Sequence, residues 1–259
     1  MDHRPRRRFG QNFLHDPGVI SRMIAAIDPR PGQHMVEIGP GLGALTEPLL
    51  ERLGELTAIE LDRDLAAQLR QSGNGRLQVL EQDALGTDFA ALRSDERPLR
   101  IVGNLPYNIS TPLLFNVASA GAAVADMHFL LQKEVVDRMA ATPGGGDYGR
   151  LSVMLQFHCR VQPLFDVGPG AFRPAPKVTS TFVRLLPHAT PPVFVADQQA
   201  LATVVTRAFS QRRKTLRNSL RKLLDTDRIE ATGVDPGSRA ETLDLAAFAR
   251  LANAVARRG

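Results

Sequence analysis

One cysteine, Cys159, is all the chain contains, so no intramolecular disulfide can form and the small secreted scaffolds stapled by such bonds are excluded. A reducing cytoplasm is the expected compartment. Long apolar runs are missing too. The longest stretch without a charged residue, 101–125, is interrupted by Asn104, Pro106, Asn108, Pro112 and Asn116, and no membrane span is expected. The arginines near the start are followed by no apolar segment of the kind a secretory leader carries. The six histidines are scattered without the spacing of metal ligands, so no metal is expected. Internal repeats and sustained heptads are absent.

Positive charge is present in excess. The chain has 32 Lys and Arg against 27 Asp and Glu and a pI near 10.0, a balance that suggests a polyanionic partner, either nucleic acid or an acidic membrane surface. Its 259 residues leave room for one large core and a smaller second domain. Strand-like runs at Met35–Ile38, Leu56–Glu60, Leu77–Glu81, 99–102 and 127–131 alternate with helical patterns at 44–53, at 63–71 and after Thr111. This alternation predicts an α/β fold with a Rossmann-like, mainly parallel sheet covered by helices on both faces. A helix over 151–157 and two closely spaced runs, 161–167 and 180–186, predict an antiparallel hairpin ending that sheet. The proline-rich segment 187–192 reads as a linker, which divides the chain into domains 1–187 and 188–259. The second is all-α, with Leu216, Leu220, Leu223 and Leu224 on one helix face.

Gly39, Gly41 and Gly43 stand between the first of these strands and its helix. Glycines there let the backbone turn sharply and approach a ligand at the helix N-terminus. The spacing also matches a dinucleotide fingerprint, with Glu60 near the position of a ribose-binding acid. Glu37, Glu60 and Asp83 fall at or beside the ends of three successive strands, which converge on one crevice in a parallel sheet. One carboxylate there can accept both ribose hydroxyls and another an adenine amine. A nucleoside-containing cofactor is the economical reading, and solvated turn residues are the plainer one.

The stretch GNLPYNIS follows the fourth strand. An exocyclic amine on adenine or cytosine is a poor nucleophile because its lone pair is delocalised into the ring. The Asn104 amide oxygen and the Leu105 carbonyl, held by Pro106, can accept both amine hydrogens, and Tyr107 can stack on the base. An ordinary turn explains the same residues if Tyr107 packs on the core and Ser110 or Thr111 caps the next helix.

Seven segments carry a family resemblance: FGQNFL (9–14), EIGPGLGALT (37–46), IELD (59–62), QDAL (82–85), GNLPYNIST (103–111), FRPAPKVTST (172–181) and QRRKTLRNSL (211–220). Together they resemble the bacterial small-subunit ribosomal RNA adenine dimethyltransferases of the kasugamycin-resistance type, relatives of the erythromycin-resistance methyltransferases. The resemblance implies S-adenosylmethionine as methyl donor. It implies that Asn12 and Leu14 border the cofactor, that Gly39 and Gly41 lie beneath its methionine part, that Glu60 binds its ribose and that Asp83 binds its adenine. It further implies that Asn104, with the Leu105 carbonyl fixed by Pro106, holds the target amine. Tyr107 then stacks on the flipped-out base, and Phe172 faces the base from the other side.

Residues 207–222 contain Arg207, Arg212, Arg213, Lys214, Arg217, Arg221 and Lys222 and no acid. Read as one helix, the segment presents a cationic flank suited to RNA phosphates, with Arg4, Arg6, Arg7 and Arg8 as an added basic arm. A solvated charged face is the simpler alternative. The reading as a whole is dimethylation of two adjacent adenosines in the 3'-terminal hairpin loop of 16S rRNA, on the pre-30S particle, by a monomer in the cytoplasm. Its competitors are a large-subunit rRNA methyltransferase giving macrolide resistance, which FRPAPKVTST and QRRKTLRNSL disfavour, and an NAD-dependent dehydrogenase, which leaves the Asn-Leu-Pro-Tyr stretch unexplained.

Overall fold

The computed structural model describes residues 11–256 except Ser94 and Arg212. The expectations for Arg4, Arg6, Arg7, Arg8 and Arg212 therefore lie outside the described residues. The chain forms two compact units, one of residues through Val136 together with Arg160–Pro187, the other of Asp137–Cys159 together with His188–Gly259.

In the first unit, β1 (Phe13–Leu14) leads into α1 (Pro17–Ile27), whose start is fixed by proline in its first turn and by the Asp16 carboxylate accepting from the Val19 amide at 2.9 Å. The alternation then runs β2 (Met35–Ile38), α2 (Thr46–Leu53), β3 (Leu56–Glu60), α3 (Arg63–Ser72), β4 (Leu77–Glu81), β5 (Leu99–Asn104), α4 (Ser110–Ser119) and β6 (Val124–Gln132). After α5 (Lys133–Ala140) and α6 (Arg150–His158) come β7 (Cys159–Val167), β8 (Phe172–Arg173) and β9 (Ser180–Pro187).

The large sheet has the order β4-β3-β2-β5-β6-β9-β7. β2 is parallel to both β3 and β5, β4 is parallel to β3, β6 is parallel to β5, and β9 is antiparallel to β6. All four residues of β2 are buried, as a strand covered on both faces requires. The strand order reverses between β2 and β5, and the crevice beyond their C-terminal ends is where an open α/β sheet binds its ligand.

β5 continues to Asn104, past the strand end expected at Val102. A Cβ on Gly103 would lie 2.5 Å from the Ile38 carbonyl oxygen, so only glycine lets β5 run this close to β2 at the crevice. The last two strands are neighbours as expected, with β9 inserted between β6 and β7. β1 and β8 form a separate two-stranded antiparallel sheet, pairing Phe13 with Arg173 and Leu14 with Phe172; two residues are too few to show a period in the sequence.

The second unit holds α6, α7 (Gln198–Phe209), α8 (Leu216–Ser219), α9 (Thr226–Glu230) and α10 (Leu245–Ala256). Asp197 and Asp225 cap α7 and α9 through their carboxylates. A single cut after residue 187 does not describe this unit, because Asp137–Cys159 packs with the helices. There the Tyr148 hydroxyl donates to the Leu243 carbonyl at 2.8 Å, and the Gly144 amide donates to the Glu241 carbonyl at 2.7 Å.

The expected single helix over 207–222 is broken. α7 ends at Phe209, and a four-residue helix resumes only at Leu216. The amides of Leu216 and Arg217 donate to the carbonyls of Ser238 and Pro236, and Thr215 bridges Arg239, so the backbone at the break is satisfied by a distant segment instead of by the preceding turn. Leu216, Leu220 and Leu224 are nevertheless buried, as the leucine spacing predicts.

Candidate active site

Beyond the ends of β2 and β5 lies a cavity of about 260 Å³. Its wall brings together five separated segments: 11–14, the turn after β2, the end of β3, residues 82–85 and residues 104–109. Of the residues singled out above, Asn12, Leu14, Gly39, Gly41, Glu60, Asp83, Asn104, Leu105, Pro106 and Tyr107 all line it.

The glycine turn is shaped by contact as well as by dihedral angle. Gly41 has φ +58°, and a Cβ there would meet the Phe13 ring at 3.0 Å. Its amide donates to Glu60 Oε2 at 3.2 Å, while the Asp62 amide donates to Oε1 at 2.9 Å. Backbone amides thus fix the Glu60 carboxylate at the cavity wall, where its oxygens can accept from an incoming hydroxyl. Burial raises the Glu60 carboxyl above its ordinary range, with these amide bonds opposing the shift.

Asp83 follows β4 and starts a short turn. Its Oδ1 accepts from the Leu85 amide at 2.9 Å, and its carboxylate sits exposed at the cavity wall. Glu37, in β2, is 2 % exposed and also lines the cavity. Burial pushes its carboxyl up to about 7, against the hydrogen bond that Thr46 Oγ1 donates at 2.7 Å, and the neighbouring Glu60 raises it further.

Beyond Leu14, Leu105 and Pro106, the wall has three exposed leucines that the sequence reading does not single out. Leu42, Leu61 and Leu85 are 54 %, 48 % and 37 % exposed, and all three line the cavity. Leu61 and Leu85 directly follow or closely follow the acids Glu60 and Asp83, so an apolar residue just after a strand-end acid was the available signal. Such side chains can sandwich a planar ring whose edge and sugar the acids hold.

At the other side of the cavity, Asn104 Nδ2 donates to the Asn12 carbonyl at 3.0 Å. This bond commits the NH₂ end of the amide and leaves Oδ1 as the acceptor. The Leu105 amide is engaged by the Leu130 carbonyl of β6 at 3.3 Å, and the Pro106 carbonyl accepts from the Ile109 amide at 3.2 Å, closing the turn that leads to α4. The Tyr107 hydroxyl shares a 2.7 Å hydrogen bond with Ser180 Oγ, which steadies a half-buried ring. Burial raises the Tyr107 phenol.

Phe172 is not brought to the cavity. It is 3 % exposed, lies in β8 opposite Leu14, and packs in the core with residues such as Val167 and Phe182. Arg213, Lys214, Arg217, Arg221 and Lys222 are exposed on the second unit. Among the described residues, no group of three or more His, Cys, Asp or Glu could hold a metal ion, and no helix is long and apolar enough to cross a membrane.

The family pattern described as "Ribosomal RNA adenine dimethylase" matches residues 2–257. The chain is 58 % identical over 256 residues to "Ribosomal RNA small subunit methyltransferase A" of Pseudomonas aeruginosa, covering 98 % of this chain and 96 % of the relative. The protein of the same description from Hahella chejuensis is 54 % identical, with 98 % and 94 % covered. Among solved structures, a dimethyladenosine transferase from Plasmodium falciparum aligns with a TM-score of 0.78 and 25 % identity, covering 92 % of this chain and 95 % of that one. The 23S rRNA methyltransferase ErmE aligns at 0.71 and 27 % identity, covering 95 % and 100 %.

Proposed function

Because the chain belongs to the ribosomal RNA adenine dimethylase family, we propose that its cavity places adenine amines of small-subunit rRNA against the methyl group of S-adenosylmethionine. The protein is an S-adenosylmethionine-dependent rRNA adenine dimethyltransferase. Its targets in this reading are two adjacent adenosines in the 3'-terminal hairpin loop of 16S rRNA. The names of relatives at 54–58 % identity support the small subunit over the large; the large-subunit enzyme stands at 27 %.

The residues present fit the cofactor. Glu60, its carboxylate fixed by backbone amides, suits the ribose hydroxyls; Asp83 suits the adenine amine; Leu61 and Leu85 suit the ring faces; Gly39, Gly41, Asn12 and Leu14 border the rest. When bound, the cofactor supplies a methyl carbon activated by a sulfonium. The chain's task is then to orient the nucleophile. Asn104 Oδ1 and the Leu105 carbonyl accept the two hydrogens of the target amine and favour a pyramidal nitrogen whose lone pair is no longer spread into the ring. Pro106 fixes the Leu105 carbonyl, and Tyr107 offers a stacking face held by Ser180. No general base is required, since the protonated aryl amine left by transfer is acidic enough to give its proton to water. Phe172, buried in the core, is left out of this clamp.

The observation that carries the reading is the Asn104–Asn12 bond, which aims an amide oxygen at a cofactor-sized crevice. In this reading the sheet unit performs the chemistry and the helical unit, with Arg213, Lys214, Arg217, Arg221 and Lys222, binds RNA. On the same reading it acts as a monomer in the cytoplasm on the pre-30S particle; the basic balance supports the RNA partner. Methylation of purified small and large subunits with labelled cofactor tests it. Label on adenines of the small-subunit RNA is expected, and label on the large subunit alone would overturn the substrate.

A further inference from the structure

We propose that the helical unit carries a second RNA contact, in which Arg228 and Arg250 grip a backbone phosphate in one surface cavity and Phe194 stacks on a neighbouring unpaired base. The inference rests on the RNA substrate of the preceding reading. The cavity, of about 380 Å³, is lined by Arg228, Ala231, Thr232, Arg250, Asn253 and Ala254, with no acid among them. The carboxylates of Asp227 and Glu230, on the same short helix as Arg228, do not line it.

Both guanidiniums are anchored without being neutralised. An Arg228 Nη2 hydrogen is donated to the Ala254 carbonyl, and Arg250 Nε donates to the Thr232 carbonyl at 2.8 Å. Neither arginine pairs with a carboxylate among the described residues. A guanidinium carries five N–H donors in a planar fork, so one bond to a wall carbonyl sets its plane and leaves the others for a ligand. Two such forks facing one cavity suit the tetrahedral, multiply accepting oxygens of a phosphate.

The rim supplies the reason to name RNA. Phe194 is 80 % exposed, the most exposed of the large hydrophobic side chains among the described residues. Its carbonyl accepts from Asn253 Nδ2 at 3.0 Å, and Asn253 Oδ1 accepts from the Ala196 amide at 2.8 Å. A cavity-wall residue therefore pins the backbone at and just beyond an aromatic ring held out in solvent. A stacking ring beside fixed cations is the arrangement by which single-stranded nucleic acid is held without sequence preference, and a free anion would have no use for the ring.

The test uses the full chain, S-adenosylmethionine and purified small subunits, with methylation kinetics and binding measured over a range of salt. Arg228→Gln with Arg250→Gln is expected to raise KM about tenfold with kcat nearly unchanged, and to flatten the log-log salt dependence by about 0.7 for each phosphate that is no longer neutralised. Phe194→Ala is expected to raise KM about fivefold or more without altering the salt slope, and Phe194→Tyr to restore it. Arg228→Lys with Arg250→Lys keeps the charge and is expected to keep the slope; a flattened slope in that pair overturns the electrostatic assignment. Folding of each variant is checked by its melting temperature and cofactor affinity. Glutamine variants with parental KM and slope overturn the inference while leaving the methyl-transfer reading intact. If inorganic phosphate shifts the Arg250 Nε resonance and these variants still bind subunits normally, the cavity is a free-phosphate site and the RNA assignment falls. A parent protein that does not methylate small subunits overturns the earlier reading instead.

Discussion

Asn104 Nδ2 donates to the Asn12 carbonyl at 3.0 Å across 92 positions of sequence, so the orientation of the amide at the end of β5 is set by the segment just before β1. Removing that amide takes away both the tie and the acceptor it aims. Asn104→Ala is expected to slow single-turnover methylation by about 10²–10³-fold, the loss typical of one preorganised polar group. Subunit binding, measured by co-sedimentation, is expected to stay near the parental level, and parental turnover would remove the clamp.

Tyr107 separates ring from hydroxyl. Tyr107→Phe loses the bond to Ser180, worth about 1 kcal/mol, and is expected to lower turnover about fivefold. Tyr107→Ala also loses the stacking face, for a further penalty of about 1–3 kcal/mol. Equal rates for the two variants in the same assay would show that the ring does not touch the base.

Glu60→Gln replaces one oxygen with a donor and so cannot accept both hydroxyls of a ribose. A weakening of cofactor binding by about 1.5–3 kcal/mol is expected in titration calorimetry. Adenosine lacking the ribose hydroxyls should bind parent and variant alike.

Glu37 and His128 titrate in opposition. Glu37, raised by burial to about 7, binds more protons when folded than when unfolded, so its contribution to stability falls as pH rises from about 4.5 to 7. His128 is 1 % exposed and held by burial down at about 4, so the unfolded chain binds the extra proton and stability is lost as pH falls from about 6.5 to 4. Between about 4.5 and 6.5 the two slopes cancel, and each amounts to at most about 3 kcal/mol over its window. Glu37→Gln is expected to expose the histidine slope, so that its urea midpoint drops on acidification through that range more steeply than the parent's. Identical pH profiles would refute the opposition.

Gly103→Ala drives a Cβ against the Ile38 carbonyl oxygen at 2.5 Å. Backbone must move to relieve it, at a cost of about 1–3 kcal/mol. A lower melting temperature together with weakened cofactor binding is expected, because the displaced strands are the two that flank the crevice.

Much of the site was legible because it stands at strand ends. Gly41, Glu60, Asp83 and Asn104 each follow a run whose period identifies a strand, and parallel order alone then gathers them. Phe172 lies outside the cavity wall because it sits in a two-residue strand that the sequence does not announce and packs in the core there. The basic segment reads as a continuous helix because the leucines after the break, Leu216, Leu220, Leu223 and Leu224, keep a helical spacing that nothing in 210–215 visibly interrupts. The interruption is enforced by carbonyls of Pro236 and Ser238, which no local pattern can announce. Leu61 and Leu85 are legible only through their place just after Glu60 and Asp83, since exposure itself shows only once the cavity around them is seen.

β1 has a second consequence. Among the described residues its one partner strand is the one that contains Phe172, and the residue immediately before it supplies the carbonyl that Asn104 holds. A shift of the Phe172 backbone disturbs this short strand, and with it the carbonyl that orients the amide. Two ends of the polypeptide's catalytic region are thereby geared to each other through four residues of backbone pairing.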